Sequence, residues 1–159
     1  MYRSILVATD GSPCSEVAGE HAVDLARQYD ASLHVLSVVE VDVSFSETIT
    51  EQMLENLEKR GQRAIDAIAD RARDRGVADV DASVVRGTPH KTILDYAHEH
   101  DVDLVVVGTH GRRGLGRLLL GSVAERVLRT ADLPVLIVRE VEDEDETTPA
   151  AAFSRLAND

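Results

Sequence analysis

The residues best suited to chemistry lie between Gly108 and Ser122, where five glycines and three arginines (Arg112, Arg113, Arg117) follow the apolar run Leu104–Val107. Glycine lets the backbone turn sharply and lets peptide N–H groups approach an anion with no Cβ in the way. Ser122 reads as a helix N-cap, and Glu125 three residues later completes a capping-box pattern. The N–H groups of Val123 and Ala124 then face whatever occupies the helix start, and the helix dipole favours phosphate there. No acidic residue falls between Asp103 and Glu125, so the segment is a basic island in an acidic chain. The pattern predicts a site for a phosphate-bearing ligand, with Arg112 touching phosphate and Arg113 and Arg117 solvated.

Two well-known phosphate loops do not fit. Gly116 and Gly121-Ser122 have the Walker spacing, but no lysine precedes the serine to supply the cation. Gly114 and Gly116 lack the third glycine of a dinucleotide fingerprint. Other reactive side chains read more plainly. His110 has no Ser or Cys nucleophile paired with it by any motif and reads as a structural or solvent-facing imidazole. His98 and His100 are two apart and point to different helix faces, which argues against a metal site with His90. Cys14, near a helix start, reads as a small buried residue. Asp10 precedes a glycine, as turn residues often do.

These residues need elements to position them, and the chain supplies a regular alternation. Ile5–Ala8 is an apolar run closed by Thr9-Asp10-Gly11, after which Ser12 caps a helix with Pro13 at its first position. Strands follow at 33–39, 80–85, 104–107 and 135–138. Helices are expected at about 51–75, from Pro89 onward with Thr88 as N-cap, and over 122–130. The polar alternation of Val80–Val85 suits a sheet edge, and the unbroken apolar run Leu104–Val107 suits a central parallel strand. Five strands joined by four helices imply a parallel α/β sheet with right-handed crossovers.

Composition narrows the function. Seventeen Lys+Arg against 29 Asp+Glu give a net charge of −12 over 159 residues, which disfavours nucleic acid and anionic membrane surfaces as partners. Aromatic residues are 3% of the chain, too few for a base-stacking platform. At 43% apolar residues the chain can build one globular core. A single cysteine excludes an internal disulfide, and no apolar stretch approaches a membrane span. The expected setting is cytoplasmic. The basic residues are 15 Arg and 2 Lys, a bias that fits either a salt-rich host or Arg-favouring codon composition. The run Glu140–Glu146 is almost wholly acidic, so residues 1–140 are expected to form the domain and 141–159 a solvated tail.

The glycine spacing Gly108-x2-Gly111-x9-Gly121-Ser122 resembles the signature G-x2-G-x9-G-S/T of the universal stress protein family, in its ATP-binding branch. The resemblance extends to Ile5–Ser12, to Gly87-x-Pro89 and to Asp132–Val138, and covers about residues 1–140. It implies a Rossmann-like five-stranded parallel sheet of order 3-2-1-4-5 with helices on both faces, a dimer, and an ATP site between the first and fourth strands. By position, Ala8, Thr9 and Asp10 would lie beside the adenosine and Val38 would line the adenine pocket. Gly108, Thr109 and Gly111 would hold ribose and phosphates, and Gly121, Ser122, Val123 and Ala124 the phosphate tail. Ala124 stands where some ATP-binding members carry a hydroxyl residue, which removes a side-chain contact but leaves the main-chain one. Asp10 would orient a ribose hydroxyl or reach a phosphate-bound Mg²⁺ through water.

In that strand order the apolar Val135-Leu136-Ile137-Val138 becomes an exposed edge, which invites a second copy of the chain to cover it. The function so implied is that of an ATP-binding stress-response protein acting as a dimeric switch. Two alternatives remain open: a slow ATPase or nucleotidyl-transfer enzyme using the same pocket, and an interaction module without nucleotide.

Overall fold

The computed structural model describes residues 1–41, 49–111 and 119–140. Three expectations lie outside them: the phosphate contact of Arg112, the solvated Arg113 and Arg117, and the acidic tail from residue 141. Among the described residues nine elements alternate as β1 (Ser4–Ala8), α1 (Pro13–Tyr29), β2 (Ser32–Glu40), α2 (Glu51–Asp74), β3 (Val80–Gly87), α3 (Pro89–Glu99), β4 (Leu104–Gly108), α4 (Ser122–Thr130) and β5 (Val135–Val138). The strands form one sheet in the order β3-β2-β1-β4-β5, and every pairing is parallel.

Alternate side chains of the central strands feed two core layers. Ile5 and Val7 of β1, Leu33 and Val35 of β2 and Val106 of β4 pack under α1 and α2, with Ala18, Ala22, Val23, Ile65 and Ile68. Leu6, Leu36, Val105 and Val107 face the other way, against Ile93, Tyr96 and Ala97 of α3 and Ala124 and Val127 of α4. Ile5, Leu6 and Val7 are all fully buried, so β1 is covered on both faces, which is why its sequence is apolar without alternation. The polar alternation of β3 places it at one edge, as its sequence predicts.

On the α1/α2 face the helices are pinned at their ends and sides. The Ser12 Oγ accepts from the Ser15 N–H, with Pro13 in the first turn. The Thr50 Oγ1 accepts from the Met53 N–H at the start of α2. Gly19 of α1 meets α2 so closely that a Cβ there would lie 2.7 Å from Ile68 Cδ1. Along the solvent side Arg71 bridges Glu16 and Glu20, and Arg75 bridges Glu20 and Asp24. These pairs are partly exposed, and each adds little by itself.

The other two helices begin differently. Thr88 occupies the N-cap position of α3, with Pro89 following, but its side chain makes no capping bond. At α4 the expected cap is displaced by one residue. Gly121, not Ser122, is the N-cap, and no side chain caps the helix. The cause lies in the preceding chain: the Gly121 N–H donates to the Thr109 carbonyl at 2.6 Å, which fixes where the helix is entered. Ser122 thereby becomes the first helical residue and the capping box does not form. Both uncapped helix starts lie at the C-terminal end of the sheet. Among the described residues no helix is long and apolar enough to cross a membrane.

Candidate functional site

Chain connectivity reverses between β1 and β4: β1 leads by α1 to β2 on one side, while β4 leads by α4 to β5 on the other. Loops diverge at such a point and leave a crevice at the carboxyl ends of the strands. Here the crevice is a cleft of about 450 Å³, within the range of small-ligand sites.

One bank comes from β1 and the turn after it. Ala8, Thr9 and Asp10 line the cleft. The Thr9 hydroxyl is turned into the protein, 2.9 Å from Ser15 Oγ, and accepts from the Gly11 N–H. Asp10 Oδ1 accepts from the Ser12 N–H at 2.9 Å, closing an Asx turn. Gly11 has φ 76°, a left-handed conformation that glycine adopts without strain. The Asp10 Oδ2 lies so close to Gly111 that a Cβ could not be placed on that glycine without displacing the carboxylate.

The second bank is apolar. Val38 from β2, Val107 from β4, and Pro89 and Ile93 from α3 face the cleft, with Thr88, His90 and Glu40 at its polar rim. The third bank is the end where the sequence leads one to expect phosphate. Gly108, His110 and Gly111 lie on one side, and Gly121, Ser122, Val123 and Ala124, the bare first turn of α4, on the other, with Arg126 one turn further along. With no side chain serving as cap, the N–H groups of that turn are presented to the cleft.

Ten of the predicted site residues therefore share one cavity: Ala8, Thr9, Asp10, Val38, Gly108, Gly111, Gly121, Ser122, Val123 and Ala124. Thr109 is not in the lining. It is 7% exposed, and its polar groups are all engaged. Its hydroxyl lies 3.4 Å from Cys14 Sγ and 3.2 Å from His110 Nδ1. Its N–H donates to the Val138 carbonyl, and its own carbonyl accepts from Gly121. Thr109 is a tie between β4, β5, α1 and α4.

Cys14 belongs to the same tie. It is buried, with its thiol donating to the Val138 carbonyl at 3.5 Å. Burial pushes the thiol pKa up, but the Thr109 hydroxyl and the main chain of His110, Glu140 and Thr109 outweigh it, for a net lowering. A Cβ on Gly108 would come within 2.9 Å of that sulfur and 3.1 Å of the Cys14 main chain. Part of the glycine pattern thus serves close packing of the chain on itself.

Sequence reasoning missed the wall supplied by α3 and the contribution of Arg126. The Gly87-x-Pro89 match marked the first, without showing that a crossover would carry Thr88, Pro89, His90 and Ile93 back over the β4 loop. Arg126 had a signal in its spacing, four residues after Ser122 and so on the same helix face. His110 lines the cleft, but with its Nδ1 held to Thr109 it is anchored as a structural imidazole.

The comparison with known proteins agrees with this geometry. The profile of the Universal stress protein family matches residues 1–139. Universal stress protein MJ0531 of Methanocaldococcus jannaschii is 37% identical over 147 residues, covering 91% of this chain and 86% of that protein. The solved structure of protein MJ0577 superposes with a TM-score of 0.78 at 28% identity, covering 90% of this chain and 99% of the other. A universal stress protein crystallised in complex with cAMP superposes with a TM-score of 0.69 at 29% identity, covering 86% and 97%. With its parallel sheet, its cleft at the β1/β4 crevice and these relatives, the chain belongs to the universal stress protein family.

Proposed function

We propose that this chain binds ATP, together with Mg²⁺, and that occupancy of the cleft is the signal of a dimeric stress-response switch. The observation that carries the reading is the pairing, in one cavity, of an apolar wall with an uncapped helix start. Val38, Pro89, Ile93 and Val107 suit a purine face, and the first turn of α4 suits phosphate. The cAMP complex of a relative at 29% identity supports a nucleotide as the class of ligand.

The donor set also fits a hard cation. Among the described residues two carboxylates, Asp10 and Glu40, face the cleft against one guanidinium, that of Arg126. A triphosphate entering there is better accommodated with part of its charge neutralised, and the carboxylate oxygens of Asp10 are the ligand type Mg²⁺ takes, directly or through water. When bound, the ion would supply charge neutralisation of the phosphates.

The homodimer would form through β5, where Val135, Leu136 and Ile137 remain half-buried at the sheet edge. Titration calorimetry of ATP, ADP, cAMP and adenosine, with and without Mg²⁺, tests the ligand. Binding of MgATP in preference to adenosine is expected. Failure of every nucleotide to bind would leave an interaction module, and phosphate release well above the uncatalysed rate would make the protein an ATPase.

A further inference from the structure

We infer that Arg126 pairs with the phosphate chain of the bound nucleotide and makes the cleft selective for the more highly charged phosphates. This rests on the nucleotide reading of the cleft, and adds to it the residue that reads phosphate charge.

The argument begins with charge. The whole chain carries −12, and Asp10 and Glu40 line the cleft, so a polyphosphate meets repulsion on approach and at the site. Helix N–H groups contribute only partial charges, and their effect falls off within the first turn. A full positive charge near the phosphate end is needed for tight binding of a tri-anionic or tetra-anionic ligand. Among the described residues Arg126 is the one Lys or Arg side chain in the lining. His110 also lines the cleft, but its Nδ1 is held to the Thr109 hydroxyl.

Helix geometry then places the charge. Arg126 lies four residues after Ser122 on α4, so the two share one face. Side chains in a helix lean towards its N-terminus, which carries the guanidinium back over the turn that presents its N–H groups to the cleft. Its neighbours leave it available. Glu125 is engaged with Arg129 at 2.9 Å, and no carboxylate pairs with Arg126 among the described residues. A solvated surface arginine would equally lack a partner. What sets Arg126 apart from Arg129 is that it lines the cavity and Arg129 does not. A guanidinium there can donate two parallel N–H bonds to phosphate oxygens, a geometry an ammonium does not reproduce.

The experiment compares the unmodified chain with R126Q and R126K by titration calorimetry against ATP, cAMP and adenosine at fixed ionic strength. Arg126 is exposed, so the thermal midpoint of both variants is expected to match the unmodified chain and fold is controlled for. R126Q is expected to lose about tenfold in ATP affinity, less for cAMP, and nothing for adenosine, the gradient a charge-assisted contact gives. R126K should recover part of the ATP loss. Equal affinity of R126Q and the unmodified chain for ATP overturns the inference and leaves the nucleotide reading standing. An equal loss for ATP and adenosine also overturns it, since Arg126 would then touch the nucleoside. If the unmodified chain binds none of the three, the nucleotide reading falls and this inference with it.

Discussion

The Gly121 N–H donates to the carbonyl oxygen of Thr109 across 2.6 Å, so the chain leaving β4 and the chain entering α4 are one structure. A Cβ on Gly121 would lie 2.9 Å from His110 Cα and 3.0 Å from that same Thr109 oxygen. Both are backbone atoms, and no rotamer change relieves the contact. Gly121→Ala is therefore expected to destabilise the protein by about 1–3 kcal/mol, the usual cost of overpacking, and to weaken nucleotide binding as the two loops part. The midpoint of urea unfolding checks it. An unchanged midpoint would mean that the two loops can separate without cost.

Asp10 offers a cleaner probe of the ligand. Its Oδ1 accepts from the Ser12 N–H, and an asparagine can keep that acceptor while losing the charge. Asp10→Asn is expected to keep the turn to Ser12, and the midpoint of urea unfolding measures what else the charge contributes to the fold. MgATP affinity should fall about tenfold, the scale of one charge-assisted interaction. The ligand series then assigns the role. A matching loss for adenosine places the carboxylate on the ribose, and a loss confined to MgATP places it on the metal through water. No loss for either removes Asp10 from the site.

Much of this arrangement is legible in the sequence because its signals are local. Ser12-Pro13 announces α1, and the apolar run Leu104–Val107 announces a strand covered on both faces. What the sequence conceals depends on which chains meet in space. The spacing of Ser122 and Glu125 satisfies a capping box, yet the tie between Gly121 and Thr109 moves the helix start by one residue. Thr109 sits inside the glycine pattern and looks like a ligand contact. Only the approach of Cys14, 95 residues away in sequence, shows where its hydroxyl goes. The apolar wall from Pro89 and Ile93 likewise exists because the α3 crossover returns to the same end of the sheet as β4.

At the opposite end of α3, His34 sits in a ring cluster with a stability consequence. His34 of β2 has its Nδ1 3.1 Å from the Tyr96 hydroxyl. The Tyr96 ring stacks on His100 at 3.9 Å, and the His100 Nδ1 lies 2.9 Å from the Tyr96 carbonyl oxygen. Burial, and then the neighbouring His100, lower the His34 pKa below its ordinary 6.5, against an opposing pull from Asp81 and Asp79. Below pH 6.5 the unfolded chain therefore takes up a proton at His34 that the folded chain resists, and stability declines as pH falls from there towards the depressed value. The thermal midpoint is expected to drop between pH 7.5 and 5.5, with a shallower slope in His34→Gln. Identical slopes in the two proteins would remove His34 as the cause.

The two edges of the sheet differ in a way that bears on assembly. The β3 edge carries the exposed charges of Asp81 and Arg86, and Arg86 is tied to Glu58; charge of this kind discourages edge-to-edge pairing. The β5 edge carries Val135, Leu136 and Ile137, with no charge between residues 135 and 138. Ile137 pairs with Val107 on its inner side and packs towards the α3/α4 layer. A dimer closed over this strand would have a mass twice the 17.3 kDa of the chain, and its unfolding midpoint would rise with protein concentration, because association stabilises the folded state by mass action. Sedimentation equilibrium at micromolar concentration is expected to give the doubled mass, and Ile137→Lys to give a folded 17.3 kDa species. The concentration dependence of the unmodified chain decides the matter even if that variant fails to fold. A midpoint independent of concentration, with a single-chain mass, would leave β5 as an open edge.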